Sequence, residues 1–225
     1  MHFNNNEMFS QSEENYLKAI YHLSQSNQTG VSTNAIASKL ETKPSSVSDM
    51  VRKLSDKKLV TYKKYYGVNL TDKGRNVAVN TIRKHRLWEF FLVEKLNFSW
   101  DEVHDVAEQL EHIQSAKLIN ELDALLGYPT HDPHGDPIPD KDGNYNLIDK
   151  VLLSKMNINE KGICVGVKDS SSDFLKYLDK KGIVLGNKIK VLEKEEYDNS
   201  LTITMENKTM SVSYKIANNL FIKVS

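Results

Sequence analysis

Side chains that can bind metal ions are concentrated in one short segment of the chain, from His104 to His112. Successive residues of an α-helix are 100° apart, so a helix here would bring four donors into an arc of about 100°. These donors are His104, Glu108, Glu111 and His112. Imidazole nitrogens and carboxylate oxygens on one face can converge on a single ion, and the segment therefore predicts a metal site.

A second pair of donors lies upstream, at His85 and Glu89. Their i,i+4 spacing puts both side chains on one face of a helix. This mixture of nitrogen and oxygen donors suits manganese, ferrous iron, zinc or cobalt, and the absence of a thiolate near it disfavours the softest ions. The alternative is that each group is an ordinary solvated side chain, but the convergence of so many donors weakens that interpretation.

The chain has 225 residues and a net charge of zero, yet its charges are segregated. Residues 1–88 contain 14 basic and 7 acidic side chains, residues 89–149 contain 3 and 14, and residues 150–225 contain 13 and 9. A basic first third suits a polyanionic partner such as nucleic acid, whereas an acidic middle third attracts cations.

The single cysteine, Cys164, excludes an intramolecular disulfide. No apolar stretch has the length of a membrane-spanning helix, and the polar segment from Met1 to Ser12 does not resemble a signal peptide. We therefore expect a cytoplasmic protein without a membrane partner.

The N-terminal part predicts a winged helix-turn-helix. Three segments have apolar residues at helical spacing, and a tight turn joins the second to the third. They are 13–24 behind a Ser12 cap, 33–40 behind Ser32 or Thr33, and 44–54, which begins at Pro44. β-Branched and aromatic residues over 59–71 then predict a hairpin, the wing. Near its tip lie Lys63, Lys64 and Tyr65, which we expect to contact DNA phosphates.

The remaining chain predicts helices followed by strands. A long helix that begins after Thr71 carries His85, and further helices are expected over 104–112 and 115–126. Residues 128–144 include four prolines and must form an irregular connection. From Ile148 onward, the pattern is typical of a small barrel with one helix. The expected strands are 162–167, 188–192, 201–205, 209–212 and 221–224, and the expected helix is 172–180.

Several segments together match a known family. They are Arg83-Lys84-His85-Arg86-Leu87, Val103-His104, Leu110-Glu111-His112 and Gly135-Asp136-Pro137-Ile138-Pro139. Behind a helix-turn-helix, this combination resembles the diphtheria toxin repressor and manganese transport regulator family of metal-dependent transcriptional regulators. The resemblance covers nearly the whole chain and implies an α+β fold. Its expected domains are a winged helix-turn-helix, 1–74; a helical metal-binding and dimerisation domain, 75–147; and a small SH3-like β-barrel, 148–225.

The resemblance implies a principal metal site with a contribution from the first helix. Its expected ligands are His85, Glu108, Glu111 and His112, together with Asn15. Iron-responsive members usually have cysteine at the position of Glu108 and manganese-responsive members a carboxylate, so Glu108 favours Mn²⁺, with Fe²⁺ and Zn²⁺ as alternatives. Asn15 replaces the Asp or Met common in the family, and an amide oxygen binds a hard cation without adding charge.

Longer members similar to this chain have a second metal site. The resemblance implies that Glu89, Asp132, His134 and Asp173 form it. Other members use the histidine at position 104 there, so His104 could serve either site. Asp173 could equally be a helix cap.

The resemblance also places the helix from Lys43 to Leu54 in the major groove of DNA. The residues expected to reach phosphates or base edges are Lys43, Ser45, Ser46, Ser48 and Arg52. Asp49 stands where some relatives present glutamine to a base, and a carboxylate there would accept from cytosine or turn away from phosphates.

Together these expectations describe a homodimeric, metal-activated repressor of metal-uptake genes that binds a double-stranded DNA operator and is not an enzyme. Metal that joins the first helix to the middle helices would set the spacing of two recognition helices. Candidates for the dimer interface, or equally for the intrachain core, are Leu92, Val93, Phe98, Leu118, Ile119 and Leu122.

Three alternatives stay open. Within the family, the chain could be an iron-responsive regulator. Outside it, a metallohydrolase is possible because two adjacent His/carboxylate sites can activate water. A metal-independent winged-helix regulator whose acidic middle domain binds another protein is the third alternative.

Overall fold

Residues 8–25, 30–206 and 208–225 are described by the computed structural model of the chain. They form two compact units that alternate along the sequence. The first contains the described residues up to Trp88, 108–127 and 139–144, and the second contains 89–107, 128–138 and 145–225. The division into three domains after residues 74 and 147 stays a prediction.

The predicted winged helix-turn-helix forms in the first unit. Its helices are α1 (Gln11–Ser24), α2 (Thr33–Lys39) and α3 (Pro44–Asp56), and its wing is the antiparallel hairpin of β1 (Val60–Lys63) and β2 (Gly67–Leu70). The Ser32 hydroxyl caps α2, and Pro44 is the first residue of α3, where its missing amide hydrogen costs nothing. Leu17, Ile36 and Leu54 are fully buried, one from each helix, and hold the three together.

The first helix is capped by Ser10 rather than by the predicted Ser12. The Ser10 hydroxyl accepts a hydrogen bond from the Glu13 amide at 3.3 Å, and the Glu13 carboxylate accepts one from the Ser10 amide at 2.9 Å. This reciprocal pair satisfies two amides that a helix start would leave unpaired, whereas Ser12 lies inside the first turn.

Glu13 also connects α1 to α3. Its side chain is only 1% exposed and lies 2.7 Å from the Lys57 ammonium and 3.2 Å from that of Lys53. Burial raises the pKa of the Glu13 carboxyl, but hydrogen bonds from Lys57, the Ser10 amide and Lys53 outweigh burial and lower the pKa from 4.5 to about 2. The carboxylate therefore stays charged and holds α3 against α1.

Three further helices follow the wing. They are α4 (Asp72–Leu96), α5 (Val103–Leu110) and α6 (Ala116–Leu125). Thr71 caps α4 by accepting a hydrogen bond from the Gly74 amide at 3.1 Å, and Ser115 caps α6 by accepting one from the Leu118 amide at 3.2 Å. None of the helices in the described part of the chain is long and apolar enough to cross a membrane.

The predicted helix through His112 is two residues too long. The Ile113 amide donates to the Leu110 carbonyl at 3.2 Å, and this turn ends α5 at Leu110. Glu111 and His112 consequently lie in the turn after the helix, while Glu108 lies in its last part.

Three candidates for the dimer interface belong to the interior of this chain instead. Leu92, Ile119 and Leu122 are at most 5% exposed. On α6, Leu118 is 41% exposed and Leu125 is 67% exposed, so an apolar surface remains open to a partner.

The second unit contains a six-stranded antiparallel sheet in the order β3-β8-β4-β5-β6-β7. Its strands are β3 (Val151–Leu152), β4 (Lys161–Val167), β5 (Lys188–Lys194), β6 (Leu201–Met205), β7 (Lys208–Val212) and β8 (Leu220–Val224), and its helices are α7 (Ser172–Lys181) and α8 (Tyr214–Ala217). The expected strands and the helix α7 are confirmed within two residues at each end. The elements β3 and α8 are too short to produce a period in the sequence. Helices followed by a separate sheet confirm the α+β class.

Gly135 joins the connection after α6 to the sheet. Its φ is +83°, and a Cβ at this position would lie 2.0 Å from the Val165 carbonyl oxygen and 2.4 Å from the Gly166 Cα. The neighbouring His134 carbonyl accepts a hydrogen bond from the Val167 amide at 2.9 Å. Only glycine permits both this left-handed backbone and this close approach to β4.

We expect Glu13→Gln to lower the free energy of unfolding at pH 7 by about 1–3 kcal/mol, because two lysines lose their buried partner. The folded-state pKa lies below the usual value, so this contribution is present above pH 4.5 and is lost as the pH falls toward about 2. Urea unfolding of both proteins between pH 7 and pH 2 measures the difference, which should shrink as the pH falls. The exposed Glu196→Gln is the control, and a pH-independent difference would contradict the role of the charge.

Gly135→Ala should cost about 2 kcal/mol or more of unfolding free energy, because the methyl group meets the backbone of β4. Gly182→Ala is the matched control in the same unit, since Gly182 also has a positive φ (+69°) but nothing within 4 Å of its Cβ position. That variant should lose only about 1 kcal/mol, the cost of the left-handed conformation. Equal losses in urea unfolding would rule out the close approach as the reason for Gly135.

Candidate metal centre

Glu108, Glu111 and His112 form the centre of the first cluster. Each offers a ligand atom within 4.8 Å of those of the other two. The side chain of Glu111 is 0% exposed, that of His112 11% and that of Glu108 34%. The end of α5 and the turn after it thus bring two carboxylates and an imidazole together at the edge of the interior.

His85 joins this cluster from α4, as the sequence predicts. Its Nδ1 lies 2.6 Å from Glu111 Oε2 and 4.0 Å from Glu108 Oε1. The imidazole is largely buried, so its hydrogen bond to the Glu111 carboxylate is made away from water and is stronger for it.

Lys18 of α1 supplies a cation that sequence reasoning missed. Its ammonium lies 2.5 Å from Glu108 Oε1, and 2.7 Å and 2.8 Å from the two carboxylate oxygens of Glu111. The three hydrogen atoms of an ammonium match these three acceptors. A positive charge therefore already sits among the carboxylates of this cluster.

Glu14 is the second missed residue, and it contacts His112 from α1. Glu14 Oε2 accepts a hydrogen bond from His112 Nδ1 at 2.6 Å, while Oε1 accepts from Lys84 Nζ and Gln114 Nε2, both at 3.0 Å. Glu14 and Lys18 are four residues apart and so share one face of α1. That spacing was visible in the sequence, but it also occurs on many exposed helices.

The nitrogen of His112 opposite Glu14 has the properties of a metal ligand. With Nδ1 donating to Glu14, the neutral imidazole carries its lone pair on Nε2. This Nε2 is buried, lies 3.6 Å from Glu111 Oε1 and has no hydrogen-bond partner among the described residues. A carboxylate behind a histidine, with the other nitrogen directed at acidic donors, is the usual environment of a metal-binding histidine, and the cluster therefore fits a divalent metal.

Asn15, the predicted donor from α1, is half-buried. Its Oδ1 is buried and has no hydrogen-bond partner in the part of the chain that the structure describes. A buried amide oxygen without a partner is costly, and this keeps Asn15 as a candidate ligand beside Glu14 and Lys18.

A second cluster contains Glu89, Asp132 and His134, as predicted. Their ligand atoms lie within 4.8 Å of one another, and all three residues are buried. His134 Nε2 donates to the Trp100 carbonyl at 2.7 Å, which leaves Nδ1 facing Glu89 Oε2 at 3.6 Å. Asp132 Oδ1 accepts the amide hydrogen of His134 at 2.9 Å, so the loop itself sets the distance between these two donors.

Negative charge dominates this second cluster. Burial lowers the pKa of His134, but the nearby Glu89 carboxylate, the charge of Asp132 and the hydrogen bond to the Trp100 carbonyl outweigh burial and raise the pKa from 6.5 to about 9. The cluster thus favours a positive charge at this place.

The other two predicted ligands are exposed. His104 is 58% exposed and its Nδ1 lies 3.4 Å from Glu89 Oε1, so it reaches the edge of the second cluster. Asp173 is exposed in the first turn of α7 and is in none of the groups of donors found among the described residues. Asp173 is the second residue of α7 and the cap position is Ser171, so Asp173 is not the helix cap that the alternative predicted. An acidic side chain in the first turn is still favourable there.

The predicted DNA contacts lie on one exposed helix and one exposed hairpin. All of the predicted residues are exposed: Lys43, Ser45, Ser46, Ser48, Asp49, Arg52, Lys63, Lys64 and Tyr65. Ser48 already donates its hydroxyl hydrogen to the Pro44 carbonyl at 3.0 Å, so it can meet DNA only as an acceptor in this conformation. Tyr65 is 90% exposed at the tip of the wing, with the Lys64 ammonium 5.2 Å from its ring centre.

Comparison with known proteins agrees with this arrangement. Residues 8–68 match the N-terminal DNA-binding domain of iron-dependent repressors, residues 71–140 match their metal-binding and dimerisation domain, and residues 151–224 match the FeoA domain. The predicted SH3-like domain at the C-terminus is thereby confirmed.

Two curated relatives are similar over about half of this chain. The iron-dependent repressor IdeR of Mycobacterium leprae is 36% identical over 126 residues, which are 56% of this chain and 54% of the relative. The match therefore spans only about half the length of that relative. The HTH-type transcriptional regulator MntR of Oceanobacillus iheyensis is 35% identical over 117 residues, 52% of this chain and 78% of the relative.

A solved structure is similar over nearly the full length. A manganese-dependent transcriptional repressor in complex with manganese is 34% identical and covers 95% of this chain and 100% of its own, with a TM-score of 0.83. With a winged helix-turn-helix, a buried His/Glu cluster and matches of this extent, the chain belongs to the diphtheria toxin repressor and manganese transport regulator family of metal-dependent transcriptional repressors.

Proposed function

We propose that this chain is a manganese-responsive repressor that binds operator DNA as a homodimer in the cytoplasm and controls metal-uptake genes. The observation that carries this proposal is the position of α1. The helix belongs to the winged helix-turn-helix, and it also places Glu14 and Lys18 against the cluster of Glu108, Glu111 and His112. A rearrangement at the cluster would therefore move α1 and, with it, the DNA-binding helices.

In this proposal five side chains form the principal site. The ligands would be His85, Glu108, Glu111 and His112, with Asn15 as a neutral fifth. A bound divalent ion would supply a double positive charge that draws these donors together. Glu14 holds the His112 imidazole in the required tautomer, and Lys84 keeps the Glu14 carboxylate in place.

The donor types support manganese over softer ions. Carboxylate oxygens and imidazole suit Mn²⁺, and Fe²⁺ uses a similar set, so iron is the alternative. The one thiol, Cys164, is buried in the sheet of the second unit, and burial raises its pKa to about 11, so it is not a thiolate ligand. Glu89, Asp132 and His134, with His104 at their edge, would form a second site for the same class of hard cation.

The exposed basic residues of α3 and the wing support DNA as the partner. Lys43 and Arg52 flank the exposed face of α3, and Lys63 and Lys64 lie at the wing. We propose that α3 enters the major groove and that the wing contacts the backbone. The exposed Leu118 and Leu125 of α6 and a matched dimerisation domain support a homodimer.

The proposal is tested by DNA binding with and without metal. A gel-shift titration on the promoter of the chain's own gene should give an apparent Kd at least about tenfold lower with Mn²⁺ than with a chelator, because coupling of this kind is commonly 5–150-fold. The double variant Glu111→Ala, His112→Ala should lose this response. His131→Ala, a histidine outside both clusters, should retain it. Equal affinity with Mn²⁺ and chelator in the wild-type protein would defeat the proposal.

We further expect Glu14→Gln to weaken Mn²⁺ binding by about 10–100-fold, because the His112 imidazole loses the carboxylate that orients it. Isothermal titration calorimetry measures this change. The adjacent Glu13→Gln is the matched control, since Glu13 is equally buried on α1 but pairs with Lys53 of α3 and with Lys57 directly after that helix. If both variants bind Mn²⁺ like the wild type, Glu14 does not orient the ligand.

A further inference from the structure

We propose that the Lys18 ammonium competes with the divalent metal for the Glu108 and Glu111 carboxylates, so that Lys18 sets the metal concentration at which the protein responds. This inference rests on the proposed function, because it takes these carboxylates as metal ligands. It concerns a residue of α1 that is not itself a ligand.

The contacts of Lys18 use the oxygens that a metal would need. Its Nζ lies within 2.8 Å of Glu108 Oε1 and of both Glu111 oxygens. Glu111 Oε2 also accepts a hydrogen bond from His85 Nδ1 at 2.6 Å. A carboxylate oxygen has two lone pairs, so Oε2 is saturated by these two partners, and one of them must leave before another can bind.

The charges decide which partner leaves. Two carboxylates this close, one of them fully buried, need a positive charge between them. Lys18 provides one unit of charge at that place. A dication among the same oxygens would repel the ammonium at a distance of a few ångströms in a poorly solvated environment. His85 is itself a candidate ligand of the ion and therefore does not need to leave the cluster.

Lys18 also has a path out of the cluster. Its side chain is 14% exposed, so part of it already borders water, and its flexible stem allows the ammonium to turn toward the solvent. Glu14, one helical turn earlier, bonds to His112 and has no need to move. Displacement of Lys18 thus breaks its ion pairs with Glu108 and Glu111, while the hydrogen bond between Glu14 and His112 remains.

The competition predicts that removal of the ammonium tightens metal binding. In isothermal titration calorimetry with Mn²⁺ alone, Lys18→Gln should lower the Kd at least about tenfold, and Lys18→Met, which keeps an apolar stem, should also lower it. Lys57→Gln is the matched control, because it removes an ion pair with a different carboxylate of α1, Glu13. It should leave the Kd unchanged within about twofold.

Thermal unfolding gives a second readout that does not depend on DNA binding. In chelator, Lys18→Gln should have a lower Tm than the wild type because two carboxylates lose their cation. Saturating Mn²⁺ should reduce this difference in Tm. Circular dichroism at 20 °C, roughly the usual temperature of maximum stability, confirms that each variant is folded.

The outcomes separate this inference from the function on which it rests. If the wild type takes up no Mn²⁺, the proposed function itself fails. If the wild type binds Mn²⁺ and both Lys18 variants bind it equally or more weakly, Lys18 is a fixed cation of the site rather than a competitor, and only the present inference is overturned.

Discussion

The Glu111 carboxylate is the group on which the rest of the site depends, because it is negatively charged and 0% exposed. Removing an ionised carboxylate from water is tolerated only when positive or hydrogen-bonding partners replace the lost hydration. Lys18 and His85 are those partners, and they come from α1 and α4. One buried charge thus determines which helices must meet. The same requirement makes the place attractive to a cation of higher charge, so the interaction that stabilises the fold also prepares the site.

The first helix, α1, makes buried contacts through carboxylates on two of its sides. Glu13 and Glu14 are adjacent, so their side chains leave α1 about 100° apart. Glu13 forms ion pairs with Lys53 of α3, the helix with the predicted DNA contacts, and with Lys57 directly after it, while Glu14 accepts a hydrogen bond from His112 of the acidic cluster. Both carboxylates are nearly fully buried, and a shift of α1 would disturb both sets of bonds at once. The helix is therefore a short, rigid connection between the sensing residues and the DNA-binding surface.

The two clusters share one way of orienting a histidine. His112 donates from Nδ1 to Glu14 and directs Nε2 toward the acidic donors, whereas His134 donates from Nε2 to the Trp100 carbonyl and directs Nδ1 toward Glu89. In each case an outward hydrogen bond fixes the ring and determines which nitrogen faces inward. The metal-binding potential therefore resides in the partners of the histidines as much as in the histidines themselves. A change of those partners would alter the site without touching a ligand.

The sequence by itself determined the elements and most of the donors, because helical periods, caps and the i,i+4 spacing of His85 and Glu89 act between near neighbours in the chain. Motifs of several residues also sufficed to recognise the family. Only the tertiary structure decided the partners that come from distant segments. It showed that Lys18 and Glu14, separated from the acidic cluster by about ninety residues, meet it, and that Asp173 lies exposed on α7. Charge pairing between distant segments depends on which faces the core buries, and no local spacing encodes that choice.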